Sequence, residues 1–211
     1  MKNLIVLAAL LLASALPAKA APPLTYESVV RVTLPVVATS SAVYAFQNTS
    51  TGVGIKIHKI EISNASTMTV TGGTMQFWVY ASTALTHSAA VTSNYNLTSK
   101  LVSQPSYITV STAPTAIQAE GDSSGLLTGG ALSGVPPIIR PFYVNNDEAA
   151  TTLLTDSWNE QSEMRGERTA GPQPIILAPG DNRAIVIQQK RLGTADFAAG
   201  SIYIRVVYSN F

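Results

Sequence analysis

The sequence predicts an all-β fold, an antiparallel β-sandwich with long loops and at most one short helix. Three observations point there. Apolar and polar residues alternate with period two over most of the chain, the signature of half-buried strands. Turn-forming clusters such as 48–54 and Pro179-Gly180-Asp181-Asn182 punctuate these runs. Only one segment carries a helical spacing, and its repeating residues are acidic rather than apolar.

The first twenty residues read as an export leader. Lys2 opens a short basic end, residues 4–16 are apolar, and Ala18-Lys19-Ala20 offers a small-x-small cleavage site. The apolar run is too short for a membrane span, which needs roughly twenty residues. The expectation is a mature chain from Ala21, secreted to the extracellular space or cell surface, or held in the periplasm, as one domain over residues 21–211. No transmembrane span is expected.

From Tyr26 to Leu34 the set Tyr26, Val30, Val32 and Leu34 shares one parity, against Glu27, Arg31 and Thr33 on the other. Pro22-Pro23 before it suggests an extended arm over about residues 21–43, rich in β-formers and suited to adding a strand to a neighbour's open edge. Residues 41–47 alternate again. Between Val53 and Ile62 the apolar parity switches from odd (Val53, Ile55, Ile57) to even (Ile60, Ile62), so one pleat cannot bury both sets and a bulge near His58-Lys59 is predicted. Gly72-Gly73 predicts a hairpin between 68–71 and 74–81. In the second of these, Met75, Phe77 and Val79 alternate with Gln76, Trp78 and Tyr80, which predicts a central strand covered on both faces. Gly121 to Gly134 reads as a long loop, and residues 138–144 as an edge-type strand interrupted by Pro141. The end is clear: Ala184 to Ile187 follows the Pro179–Asn182 turn, and Ile202, Ile204, Val206 and Tyr208 share one face of a last strand.

Composition excludes several functions. Charged residues are 12% of the chain, about half the usual share of roughly 25%. The formal charge of +1 includes Lys2 and Lys19, which leave with the leader, so the mature chain is close to neutral. With its basic residues scattered, it offers no stripe for a phosphate backbone, and no nucleic-acid partner is expected. A neutral, Ser/Thr-rich surface is weakly defended against association, which favours a homo-oligomer. Cysteine is absent, so neither disulfides nor thiol chemistry is available.

Candidate chemistry is sparse. The two histidines, His58 and His87, sit in no motif, and their spacing matches no zinc-ligand pattern. Asp156, Glu160, Glu163 and Glu167 recur at four, three and four residues, which would line up carboxylates along a short helix or gather them in a loop. They could form a solvated acidic face, a calcium site, or with Trp158 a sugar site with the tryptophan as stacking platform. Arg165 and Arg168 could instead pair with them within the segment. Calcium is the only cofactor these residues suggest, and a glycan the only small ligand. Asn48-Thr49-Ser50, Asn64-Ala65-Ser66 and Asn96-Leu97-Thr98 match the glycosylation sequon, but the pattern is short and common in Ser/Thr-rich chains, and beside a bacterial-type leader all three are discounted.

Two stretches, 55–64 (Ile-Lys-Ile-His-Lys-Ile-Glu-Ile-Ser-Asn) and Pro174-Ile175-Ile176-Leu177-Ala178-Pro179-Gly180-Asp181 through Ile187, resemble paired strands of phage and viral jelly-roll structural proteins. That resemblance implies a jelly-roll-like sandwich that self-associates through edges, loops and arms and uses no catalytic residues. Capsid, fibre and decoration proteins share this pattern. A cleavable leader shifts the expectation to a non-catalytic surface layer, fibre or shell subunit.

Overall fold

The computed structural model describes residues 24–34, 41–66, 70–87, 94–96, 105–112, 114–119, 127–128, 137–144, 155–160, 174–180, 182–197 and 200–211. Residues 1–23, expected to include the leader, the residues between Gly121 and Gly134 apart from 127–128, and Glu163 and Glu167 lie outside them. Among the described residues every regular element is a strand, and all pairings are antiparallel. Two sheets pack face to face. The first is ordered β10 (Thr155–Asn159), β3 (Ile55–Asn64), β13 (Gly200–Asn210), β1 (Thr25–Leu34) and β5 (Asn94–Asn96), with β11 (Ile175–Leu177) also on β3. The second runs β6 (Ile108–Ser111), β2 (Ser41–Asn48), β12 (Ala184–Phe197), β4 (Val70–His87), β7 (Pro114–Ala119) and β8 (Leu127–Thr128), with β9 (Phe142–Val144) also on β4.

The alternating stripes meet between the sheets. Val30, Val32 and Leu34 of β1, Ile202, Ile204 and Val206 of β13, and Ile60 and Ile62 of β3 pack against Phe46, Phe77, Val79, Ile185 and Ile187 of the second sheet. A fully buried aliphatic side chain contributes about 1.5–3 kcal/mol, so this interlayer is the main source of stability in a chain without disulfides. Ser28 is the polar break in the inward stripe of β1, and its hydroxyl lies beside that of Tyr44. Tyr26 stacks on Tyr208 at 5.4 Å between ring centroids, and Phe46 meets Tyr208 edge-on at 4.9 Å. Burial pushes the Tyr44 and Tyr208 phenols far up, so both stay neutral packing groups.

The bulge predicted in β3 is present. Lys59 faces Val207 and Ile57 faces Tyr208, so His58 is the extra residue. Ile55 and Ile57 on one side of it, and Ile60 and Ile62 on the other, all reach the core. The same residue divides the outer edge of β3: Lys59–Ser63 pair with β10 and Ile55–Ile57 with β11. The turn before β12 also forms as the sequence indicates, with Gly180 (φ 86°) and Asn182 (φ 49°) in the left-handed region.

Four expectations are corrected. Residues 25–34 are no free arm: β1 pairs along its whole length with β13 and at Tyr26–Ser28 with β5, because Tyr26, Val30, Val32 and Leu34 are needed in the chain's own core. Gly72-Gly73 makes no hairpin, since β4 continues through it beside β12, with the irregularity taken up opposite, between Gly193 and Asp196. Residues 155–159 form a strand, neither the short helix nor the loop that the spacing allowed, because Trp158 gains a core position opposite Ile60. Within 121–134, Leu127–Thr128 pair with β7. The central position of β4 and the burial of both Phe77 and Tyr80 follow the sequence reading.

Deleting His58 should put Ile55, Ile57, Ile60 and Ile62 on one parity, so that β3 pairs with β13 without a bulge and all four side chains stay buried. Turning two of them out of the core would cost about 3–6 kcal/mol, so the urea midpoint of the deletion variant should fall by much less than that. A fall of the full size would refute the role given to the bulge.

Candidate functional site

The acidic segment separates once it is a strand. At about 3.3 Å per residue, Asp156 and Glu160 stand roughly 13 Å apart along β10, too far to share an ion. Each has its own cation. Arg140 Nη1 and Nη2 donate to the two Asp156 oxygens at 3.0 and 2.6 Å, and Arg140 Nη2 also donates to the Ser157 carbonyl. Glu160 Oε2 lies 3.1 Å from Lys56 Nζ, and Glu160 Oε1 3.0 Å from His58 Nδ1. Glu163 and Glu167, the other two candidate calcium ligands, lie outside the described residues. Among the described residues no group of three or more His, Asp or Glu is placed to hold a metal ion.

Trp158 is 1% exposed, so its ring has no face for a sugar; the strand parity that buries Ile60 buries it too. The half-buried tryptophan is Trp78, whose ring carries Lys190 Nζ 3.5 Å from its centroid and stacks on Tyr80 at 6.2 Å. Asn48 is buried and donates to the carbonyls of Val53 and Leu177, so the sequon there is a structural clasp between the 48–53 turn and β11. His87 ends β4 opposite Pro114.

The constellation that sequence reasoning missed is built on the bulge. A bulged strand re-aims a side chain, and His58 lies on the outer face of the first sheet between Ser209 and Glu160. Its Nε2 is 2.8 Å from Ser209 Oγ and its Nδ1 3.0 Å from Glu160 Oε1, while its carbonyl accepts from Glu160 N at 3.1 Å. Ser209 and Lys56 are cross-strand partners. Hydroxyl, imidazole and carboxylate are thus joined by hydrogen bonds from the end of β13, the bulge within β3 and the residue after β10, three places distant in sequence. The only advance signal was the parity switch at His58; nothing in the sequence tied it to residues 160 and 209.

Beside this line runs a second polar group on the same face. Arg205 pairs with Glu27 on β1 and, at 3.5 Å, with Glu61 on β3, and Lys59 pairs with Glu61. The hydrogen bond from Lys59 holds the Glu61 carboxyl below its usual value, with Arg205 assisting against partial burial. For Glu160, burial acts upward and is outweighed by hydrogen bonds from His58 and Lys56, leaving its carboxyl lowered.

Next to the line stand exposed apolar side chains. Phe211 extends the β3–β13 ladder, its N donating to Gly54 O at 3.0 Å and its O accepting from Gly54 N at 3.3 Å. Its ring lies across Gly54 so closely that a Cβ there would be 2.3 Å from the ring, yet the residue is 66% exposed. Ile176, opposite Lys56 on β11, is 53% exposed, and Leu24, just before β1, is 43% exposed.

No protein-family model, curated protein or solved structure matches this chain. Among the described residues no helix is long and apolar enough to cross a membrane.

Both lowered carboxyls bind protons less readily folded than unfolded. Their contribution to stability is therefore present above the ordinary glutamate value of 4.5 and is lost as pH falls through the lower folded values. Urea midpoints should fall on acidification below that value, and Glu61→Gln with Glu160→Gln should flatten the decline. An equal slope in the double variant would refute these pairings. Separately, Gly54→Ala should displace the Phe211 ring, seen as a shifted aromatic NMR signal; an unshifted signal would contradict the stacking.

Proposed function

We propose that the mature chain is a secreted, non-catalytic structural subunit that self-assembles into a surface layer, fibre or shell through a jelly-roll-like sandwich. The observation that carries this reading is a set of exposed apolar residues at one end of the first sheet, Ile176 and Phe211 where β11 and β13 finish beside the start of β3, and Leu24 just before β1 begins. Exposed Leu, Ile and Phe side chains gathered on a rigid sheet end are what an interface anchor requires, and a surface with few charges does little to oppose their burial. Phe211 is held by two backbone hydrogen bonds, so ordering it costs little on association.

This reading changes the mode of assembly. Strand addition from residues 21–43 would remove β1 from the core it completes, whereas contact through the apolar sheet end leaves every strand in place. The outer strands β5, β6, β8, β10 and β11 are two to five residues long, which is itself a way of blunting edge pairing. Side-chain burial at the sheet end therefore fits better than edge-to-edge growth. The polar groups beside it are already paired with one another and act as a rim.

Sedimentation of the mature chain should show species larger than a monomer at micromolar concentration. Replacing Ile176 and Phe211 together by Ser should shift the distribution to monomer while far-UV circular dichroism stays that of a β protein. A folded double variant that sediments like the parent would refute the interface.

A further inference from the structure

We propose that Ser209 is an activated nucleophile, open to covalent capture by an acyl or phosphonyl electrophile that carries an apolar chain. The proposal goes beyond the assembly reading: its reacting groups are different, and it shares with that reading only Phe211 and Ile176. An activated serine is recognised by a base within hydrogen-bond reach of its hydroxyl and a third group that orients the base. Ser209 Oγ is 2.8 Å from His58 Nε2, and His58 Nδ1 is 3.0 Å from Glu160 Oε1. The Glu160 carboxylate accepts the Nδ1 proton, which leaves Nε2 free to accept the serine proton. Because Glu160 also receives Lys56, its carboxylate is fixed in place rather than free to rotate.

Two further features favour capture of a chain-bearing electrophile. Lys56 is the cross-strand partner of Ser209, which puts an ammonium group on the same face as the oxyanion that attack would generate. The exposed side chains of Phe211 and Ile176 flank Ser209 and Lys56 along β13 and β11 and form an apolar shoulder for an alkyl chain. Ser209 is 5% exposed and lies within a strand whose backbone is engaged in the ladder, so the arrangement suits a single covalent capture better than repeated turnover. With a carboxylic ester, the Oγ–C bond would form as the C–O bond to the leaving alcohol breaks, and the serine proton would pass to Nε2 and then to the alcohol.

The test uses a decyl fluorophosphonate on the folded mature chain, with the labelled peptide located by mass spectrometry. The Oγ–P bond forms, the P–F bond breaks, fluoride leaves and the serine proton passes to His58. The expected result is one adduct on the peptide containing Ser209, in preference to every other serine and threonine of this hydroxyl-rich chain. His58→Gln should slow its formation about a hundredfold, the low end of what a positioned general base supplies, and Glu160→Gln should slow it to a smaller extent. Absence of an adduct on the parent chain, or labelling scattered over many hydroxyls, would overturn the proposal without any variant being needed. A rate at Ser209 that is unchanged in folded His58→Gln would overturn it equally.

Discussion

The structure turns on one interruption of side-chain alternation. A strand presents successive residues to opposite faces, yet β3 must bury Ile55 and Ile57 on one parity and Ile60 and Ile62 on the other. The extra residue at His58 reconciles the two halves. Much else follows from it. The edge of β3 is shared by β10 and β11 on either side of the bulge, and the chain leaves the sheet at Glu160, hydrogen-bonded to the His58 carbonyl. Because the bulge re-aims the imidazole, a packing device of the core also lines up Ser209, His58 and Glu160 on the outer face.

The two layers divide the work. The interlayer of aliphatic and aromatic side chains supplies stability without covalent cross-links, and it takes β1 and Trp158 for this purpose. Polar residues of the first sheet's outer face are mutually paired, Arg205 with Glu27 and Glu61 and Lys56 with Glu160, and at the sheet's edge Arg140 pairs with Asp156. Exposed pairs of this kind add little stability each, so their larger effect is to fix side chains on a flat face. The apolar side chains left outside at one sheet end are therefore presented by a rigid frame, a condition that favours association.

Period-two alternation made the fold legible. It gave the all-β class, the last strand, the central place of β4 and the bulge, since each depends on local parity. It failed where a local pattern competed with a distant partner. Gly72-Gly73 reads as a turn in isolation, but β12 offers a continuous pairing edge and β4 runs through it. The four-residue spacing of Asp156 and Glu160 reads as helical, but the core position available to Trp158 opposite Ile60 decides for a strand. The line through His58 could not be read at all, because its members are separated by 102 and 151 positions and meet only through sheet register.

Register is therefore the quantity to measure. Cross-strand nuclear Overhauser effects between β3 and β13 should link Lys59 with Val207 and Ile57 with Tyr208, leaving His58 without an opposed residue. An unbroken ladder, with His58 facing Tyr208, would contradict the account, because Ile55 and Ile57 would then leave the core and the outer-face line would lose its centre.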